Sequence, residues 1–174
     1  ALNTKTGFKN LLGYNIKSGL NYNIDSHHNV FGNVGYYSKQ PFLSAVYPNN
    51  KNYLNPNLTN EKIFGVELGY GFKSKIITAN VNLYRTTWKD RFVRRTNMTV
   101  TYPDPLNPST NITTNSAYAN MSGITEIHQG VEIDATAKVH KMLSINCMLS
   151  VGDWYYKGNS TGTLFTETNE QIAL

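Results

Sequence analysis

The chain has 174 residues, with charged residues at 16%, below the roughly 25% of soluble globular domains, and aromatics at 12%, including 12 Tyr. Its net charge of +5 comes without any recognisable nucleic-acid reader motif, and its single Cys147 excludes an intrachain disulfide framework or a Cys-rich zinc site. No run of 18 apolar residues marks a transmembrane helix, which says nothing of barrel strands, because these alternate and are never apolar on average.

Residues 1–13 read as a polar lead-in. A first strand is predicted over 14–24, with Tyr14, Ile16, Leu20, Tyr22 and Ile24 on one face and Asn15, Lys17, Gly19, Asn21 and Asn23 on the other. Asp25, Ser26, His27 and His28 form its turn, since Asp and Ser side chains bond nearby backbone groups. A return strand over 29–38 puts Val30, Val34 and Tyr36 on the apolar face, but Phe31 and Tyr37 fall on the polar one. Residues 39–60 read as a loop holding Pro41, Pro48 and Pro56.

The clearest hairpin covers residues 63–88. Phe64, Val66, Leu68, Tyr70 and Phe72 alternate with Gly65, Glu67, Gly69 and Gly71. After a polar break at Lys73, Ser74 and Lys75, Ile77, Ala79, Val81 and Leu83 alternate with Thr78, Asn80, Asn82 and Tyr84. Residues 91–122, with Pro103, Pro105 and Pro108, read as a second long loop, so that no proline interrupts a strand. A third hairpin follows. Ile127, Val131, Ile133, Ala135 and Ala137 alternate with His128, Gly130, Glu132, Asp134 and Thr136. Beyond a turn over 139–142, Leu143, Ile145, Cys147, Leu149 and Val151 alternate again. Residues 157–174 read as polar and without a further strand.

Three short turns and two long loops are the connection pattern of outer-membrane barrels, and ~10-residue strands tilted ~45° span close to the ~25 Å apolar band. With the long loops outside, Tyr14, Tyr36 and Phe64 fall near the outer boundary. Tyr22, Tyr70 and Phe72 fall near the periplasmic one, as aromatic girdles do, although Tyr is also a good strand former. The fold class is therefore all-β, an antiparallel meander of about six strands forming part of a transmembrane β-barrel. Six strands cannot close such a barrel. The rival fold is a soluble β-sandwich acting as a carbohydrate-binding module.

The run Asn60-Glu-Lys-Ile-Phe-Gly-Val-Glu-Leu-Gly-Tyr-Gly-Phe72, followed by Asn82-Leu-Tyr-Arg-Thr-Thr-Trp-Lys-Asp-Arg91, resembles the barrel of TonB-dependent outer-membrane receptors. His28-Asn-Val-Phe-Gly-Asn-Val-Gly-Tyr-Tyr37, His128-Gln-Gly-Val-Glu-Ile133 and Ser150-Val-Gly-Asp-Trp154 resemble the versions of Bacteroidetes-type bacteria. The resemblance covers residues 13–157. It implies a barrel of about 22 strands occluded by an N-terminal plug, located in the bacterial outer membrane and importing a scarce ligand with energy from TonB. Residues 1–174 match neither a plug nor a TonB-contacting segment, so the whole chain is expected to be one barrel segment that meets TonB only through N-terminal parts beyond it. Its other partners would be outer-membrane lipid and an extracellular ligand (siderophore, haem, glycan or peptide). A passive porin-type barrel shares the same strands, turns and loops.

No catalytic constellation emerges, so the chain is not expected to be an enzyme and no cofactor or metal site is assigned. Glu132 and Asp134 share the polar face as a hydrated pair. His27, His28, His128 and His140 are scattered along the chain. The Asn-x-Ser/Thr sequons at Asn57 and Asn97 carry no meaning in a bacterial outer membrane. The candidate ligand-binding residues are Trp88, Arg91, Arg94, Arg95 and Trp154. The two indoles lie on the lumen face at the outer strand ends, where rings stack on ligands or anchor loops. The arginines offer planar forks to carboxylate or phosphate oxygens, the alternatives being that Arg91 pairs with Asp90 and that basic outer loops bind lipopolysaccharide phosphates.

Overall fold

A computed structural model describes residues 7–47, 54, 58–168 and 170–172. Six strands run antiparallel, each paired with the next in sequence: β1 (Tyr14–Asn23), β2 (His28–Lys39), β3 (Glu61–Lys73), β4 (Ile77–Asp104), β5 (Asn107–His140) and β6 (Leu143–Lys157). A four-residue helix, α1 (Leu43–Val46), interrupts the β2–β3 loop, and two short strands, β7 (Thr161–Phe165) and β8 (Gln171–Ile172), complete the sheet.

The register turns the alternation of each strand into two continuous faces. One row reads Leu20, Gly32, Leu68, Leu83, Val131 and Val151 across six strands, and the next reads Tyr22, Val30, Tyr70, Val81, Ile133 and Leu149. This apolar face is open. Leu20 is 82% exposed, Leu68 60% and Val151 64%, so the usual burial of apolar side chains is left to a surrounding apolar medium. The opposite face carries amide, hydroxyl and carboxylate groups bonded to one another. Asn29 donates to Asn21 (2.7 Å), Asn33 to Glu67 (3.0 Å), Asn80 to Asp134 (3.2 Å) and Thr136 to Asn146 (2.9 Å).

The turns are staggered. Following the register from the β1–β2 turn, Asn29 leads through Gly71 and Asn80 to Asp134, and β5 runs six residues further before turning at His140. Six residues at ~3.3 Å are ~20 Å of rise, set against ~19 Å of width for four strand spacings of ~4.8 Å. A line through the turns is therefore inclined to the strands by ~45°, the tilt that strands adopt in membrane barrels.

Several sequence expectations need correction. Residues 91–122 are not a loop: β4 and β5 continue through them as a paired ribbon whose tip is Pro105 and Leu106. Alternation is lost there because bulges reset the faces, with Asp90 (φ 58°), Asn97 (φ 57°) and Gly123 (φ 75°) each in the left-handed region. Pro103 and Pro108 consequently lie within strands, close to the tip, whereas Pro48, Pro56 and the sequon Asn57 lie outside the described residues. The polar tail forms β7 and β8, with β7 pairing Tyr118–Ser122 of the ribbon, so Ala117, Tyr102 and Ile172 become buried. Phe31 and Tyr37 do fit the polar face. The Phe31 ring lies over Gly69 and the Tyr37 ring over Gly35, filling the space that each missing Cβ leaves.

Candidate functional site

The site is assembled where β2–β6 leave the apolar band. Trp88 is in register with Glu126, and His128 with Trp154, so the four side chains share the polar face, here the lumen face. One extra residue on β4 between Trp88 and Arg91, Asp90 in its left-handed conformation, turns Arg91 toward the same face. Asp90 itself accepts an ion pair from Lys62 at 2.7 Å, so Arg91 does not pair with it.

Arg91 is instead held between two carboxylates: it bonds Glu126, and its Nε lies 4.0 Å from Glu61. Glu61 is almost fully buried and is also approached by Lys39 Nζ at 3.5 Å. Both cations cap the indole of Trp88, with Arg91 Cζ 4.9 Å and Lys39 Nζ 5.3 Å from the ring centroid. The second oxygen of Glu126 meets His128 Nε2 at 2.5 Å, the imidazole lies 5.7 Å from the Trp154 ring, and Trp154 Nε1 donates to Tyr84 Oη at 3.4 Å. Three predicted residues, Trp88, Arg91 and Trp154, thus belong to one connected network.

Charge within the network balances: Lys39 and Arg91 face Glu61 and Glu126. The Arg91 fork is engaged by carboxylates of the wall, which orients Trp88. Trp154, by contrast, is 67% exposed and presents a free ring face above an amide-rich wall. Such a surface can stack on a ring and donate or accept hydrogen bonds around it.

A family model described as TonB dependent receptor-like, beta-barrel, matches residues 3–172. The chain belongs to this family. No curated protein and no solved structure gave a match. This TonB-dependent receptor barrel is thereby placed in a family of outer-membrane receptors and transporters, which is not a family of enzymes.

Arg94 and Arg95 stand apart from the network. They lie on the ribbon of the receptor barrel, paired with Asn120 and Ala119. Arg94 sits 4.2 Å above the Tyr118 ring, which stacks on Phe165 of β7 at 5.1 Å. Arg95 lines a separate cleft with Val93, Met121 and Tyr156. Sequence reasoning missed Lys39, Glu61, Tyr84, Glu126 and His128. Glu126 and His128 were legible, because they are two residues apart in a strand and His128 leads the lumen face. Glu61 was not, since nothing local marks a carboxylate that is buried by partners from β2 and β4.

Proposed function

We propose that the chain is a sector of a larger closed barrel in a receptor that binds a scarce extracellular ligand and imports it, as TonB-dependent receptors of Bacteroidetes-type bacteria do. Open edges at β1 and β6 support the larger barrel: unpaired strand backbone in hydrocarbon costs several kcal/mol per group, so both edges need further strands. TonB would act through parts of the receptor beyond residues 1–174, and the outward ligand face would include Trp88, Arg91 and Trp154.

The observation that carries this reading is the charge-balanced network under an exposed indole at the outer rim of a tilted, two-faced sheet. A ligand with a ring or flat face edged by hydroxyl or amide groups suits Trp154, whereas a small free anion would compete with Glu61 and Glu126 for Arg91.

The test uses the complete receptor in cells, with uptake of its ligand measured in the presence and absence of TonB. Trp154→Ala is expected to weaken ligand binding roughly tenfold while surface levels stay normal, in line with ~1–3 kcal/mol per stacked ring. TonB-independent, non-saturating uptake would instead make the barrel a passive pore and overturn the proposal.

A further inference from the structure

Strands β6 and β7 pair with successive stretches of the same edge of β5. β6 ends at Lys157, opposite Thr125, and β7 begins at Thr161, opposite Ser122, which leaves Gly123 and Ile124 without a register partner on that side. Gly158, Asn159 and Ser160 connect the two strands, with Gly158 in the left-handed region (φ 81°) turning the chain. The handover opens a cleft of about 240 Å³. Its floor is apolar: Ile124 is buried, and Val93 and Met121 are half-buried. Tyr156, Arg95 and Lys157 form an exposed rim.

Neither the Arg95 nor the Lys157 side chain has a hydrogen-bond or ion-pair partner among the described residues. No carboxylate lines the cleft, and Glu126, in register with Tyr156, is engaged by Arg91 and His128. An apolar floor beneath two uncompensated cations is complementary to an apolar group that ends in a carboxylate, whose oxygens meet the planar fork of Arg95. The volume lies below the ~300–1,000 Å³ of sites that enclose a whole small molecule, so the cleft suits one end of a longer ligand. Tyr156 shares the lumen face with Trp154, two positions before it, and hence ~7 Å away along β6.

We infer that this cleft holds the carboxylate-bearing apolar end of the ligand whose ring stacks on Trp154. A chain of three peptide residues, ~10 Å long when extended, reaches from the indole past Tyr156 into the cleft. Such a ligand answers the indole, the apolar floor and the two cations together. A neutral glycan answers only the first, and a small inorganic anion only the last. The inference deepens the proposed function and rests on its placing of the ligand at Trp154, but not on TonB or on import.

The experiment uses the complete receptor in nanodiscs with isotope-labelled methionine methyls, the Met121 signal being assigned by Met121→Leu. N-acetyl-leucine is expected to shift that signal saturably. N-acetyl-leucinamide, which lacks the charge, and acetate, which lacks the apolar body, are expected to leave it in place. Isocaproate, with the same body and charge but no peptide unit, distinguishes the source: its binding supports a plain acyl carboxylate, and its failure beside N-acetyl-leucine supports a peptide end. Arg95→Gln is expected to weaken N-acetyl-leucine about tenfold, the loss of one charge-assisted hydrogen-bonded pair, and Arg95→Lys to restore part of it. Lys75→Gln in the β3–β4 turn serves as a distant control. The tripeptide Trp-Gly-Leu is expected to bind about tenfold more tightly than N-acetyl-leucine, a gain that Trp154→Ala removes. Equal binding of the acid and its amide overturns the inference, as does unchanged affinity in Arg95→Gln, a matching shift with acetate, or no gain from the tripeptide. Should Arg95→Gln fail to fold, the acid and its amide compared on the parent receptor decide the matter. TonB-independent uptake with cleft binding intact would count against the proposed function and not against this site. A ligand that needs Trp154 but is indifferent to Arg95 would count against this site alone.

Discussion

Gly130 and Gly65 both lie on the lumen face, yet the structure predicts opposite outcomes for the same substitution. A Cβ on Gly130 would lie 2.5 Å from the Val151 carbonyl oxygen, 2.9 Å from Gly152 Cα and 2.8 Å from Tyr84 Oη. Two of these neighbours are backbone of β6 and cannot rotate away, so the strand pair itself must shift by several tenths of an ångström. Forced overpacking of this kind costs about 1–3 kcal/mol, against a gain of ~0.5–1 kcal/mol from replacing a strand glycine by alanine. Gly130→Ala is therefore expected to be destabilising by up to ~2 kcal/mol and to displace Tyr84, which holds Trp154 Nε1. A Cβ on Gly65 meets only Thr86 Oγ1 at 3.6 Å, an ordinary van der Waals separation, so Gly65→Ala is expected to be neutral or slightly stabilising. The assay is the urea midpoint for folding of the complete receptor into lipid vesicles, with ligand affinity measured alongside. Gly130→Ala matching Gly65→Ala in both readouts would refute the close β5–β6 packing beneath Tyr84.

Removing Arg91 leaves two carboxylates at low exposure, 4% for the Glu61 side chain and 15% for Glu126, so Arg91→Met is expected to cost about 2–5 kcal/mol in the same folding assay. Arg91→Lys should recover only part of that loss, because an ammonium cannot span both acids as a fork does. Leu149→Lys and Ser150→Lys are neighbours on opposite faces of β6. The first is expected to disfavour insertion by about 2–4 kcal/mol and the second to be tolerated, as judged by vesicle folding yield. In the β1–β2 turn, the His27 amide donates to Asp25 at 2.7 Å and holds its carboxyl below the usual carboxylate range. A lowered folded-state value means that the turn is stabilised above the unfolded pKa of about 3.9 and loses that support as pH falls through the folded value. Amide exchange at His27 and His28, corrected for intrinsic rates, should therefore quicken below that range in the parent and show no such step in Asp25→Ala.

Most of the membrane-spanning sector was legible because one chemical rule governs it: every second residue meets hydrocarbon, so Phe64 to Phe72 and Ile77 to Leu83 could carry no other pattern. The ribbon over residues 91–122 was not legible, for a physical reason. Its apolar cover comes from β7 and β8, about 40–50 residues further along the chain, over a small cluster around Tyr102 and Ala117, and its bulges at Asp90, Asn97 and Gly123 shift the parity wherever a weak pattern begins. The prolines misled in the same way: Pro103 and Pro108 sit near a tip where pairing is already irregular, so a missing backbone donor costs little. Phe31 and Tyr37 looked misplaced only while each strand was read alone. Their places depend on glycines at Gly69 on the neighbouring strand and at Gly35 two positions away.

The division of charge where β3 and β4 leave the apolar band follows from a single residue. In unbroken alternation after Trp88, Lys89 would face the membrane, Asp90 the lumen and Arg91 the membrane again. The extra residue at Asp90 reverses the last two. It places a carboxylate beside Lys62 at the lipid boundary and delivers a guanidinium to the lumen, where Glu61 and Glu126 already face one another across β3 and β5. Without the bulge, the buried Glu61 and the partly buried Glu126 would lose their shared cation, and the membrane face would hold Lys62, Arg85, Lys89 and Arg91 with no acid among them on β3 and β4. Asp tolerates the left-handed conformation better than most side chains, which makes it suited to the turn of the backbone as well as to the ion pair. The lumen network and the boundary cations are therefore two consequences of the same backbone irregularity, and a change at Asp90 should disturb both faces of the barrel together.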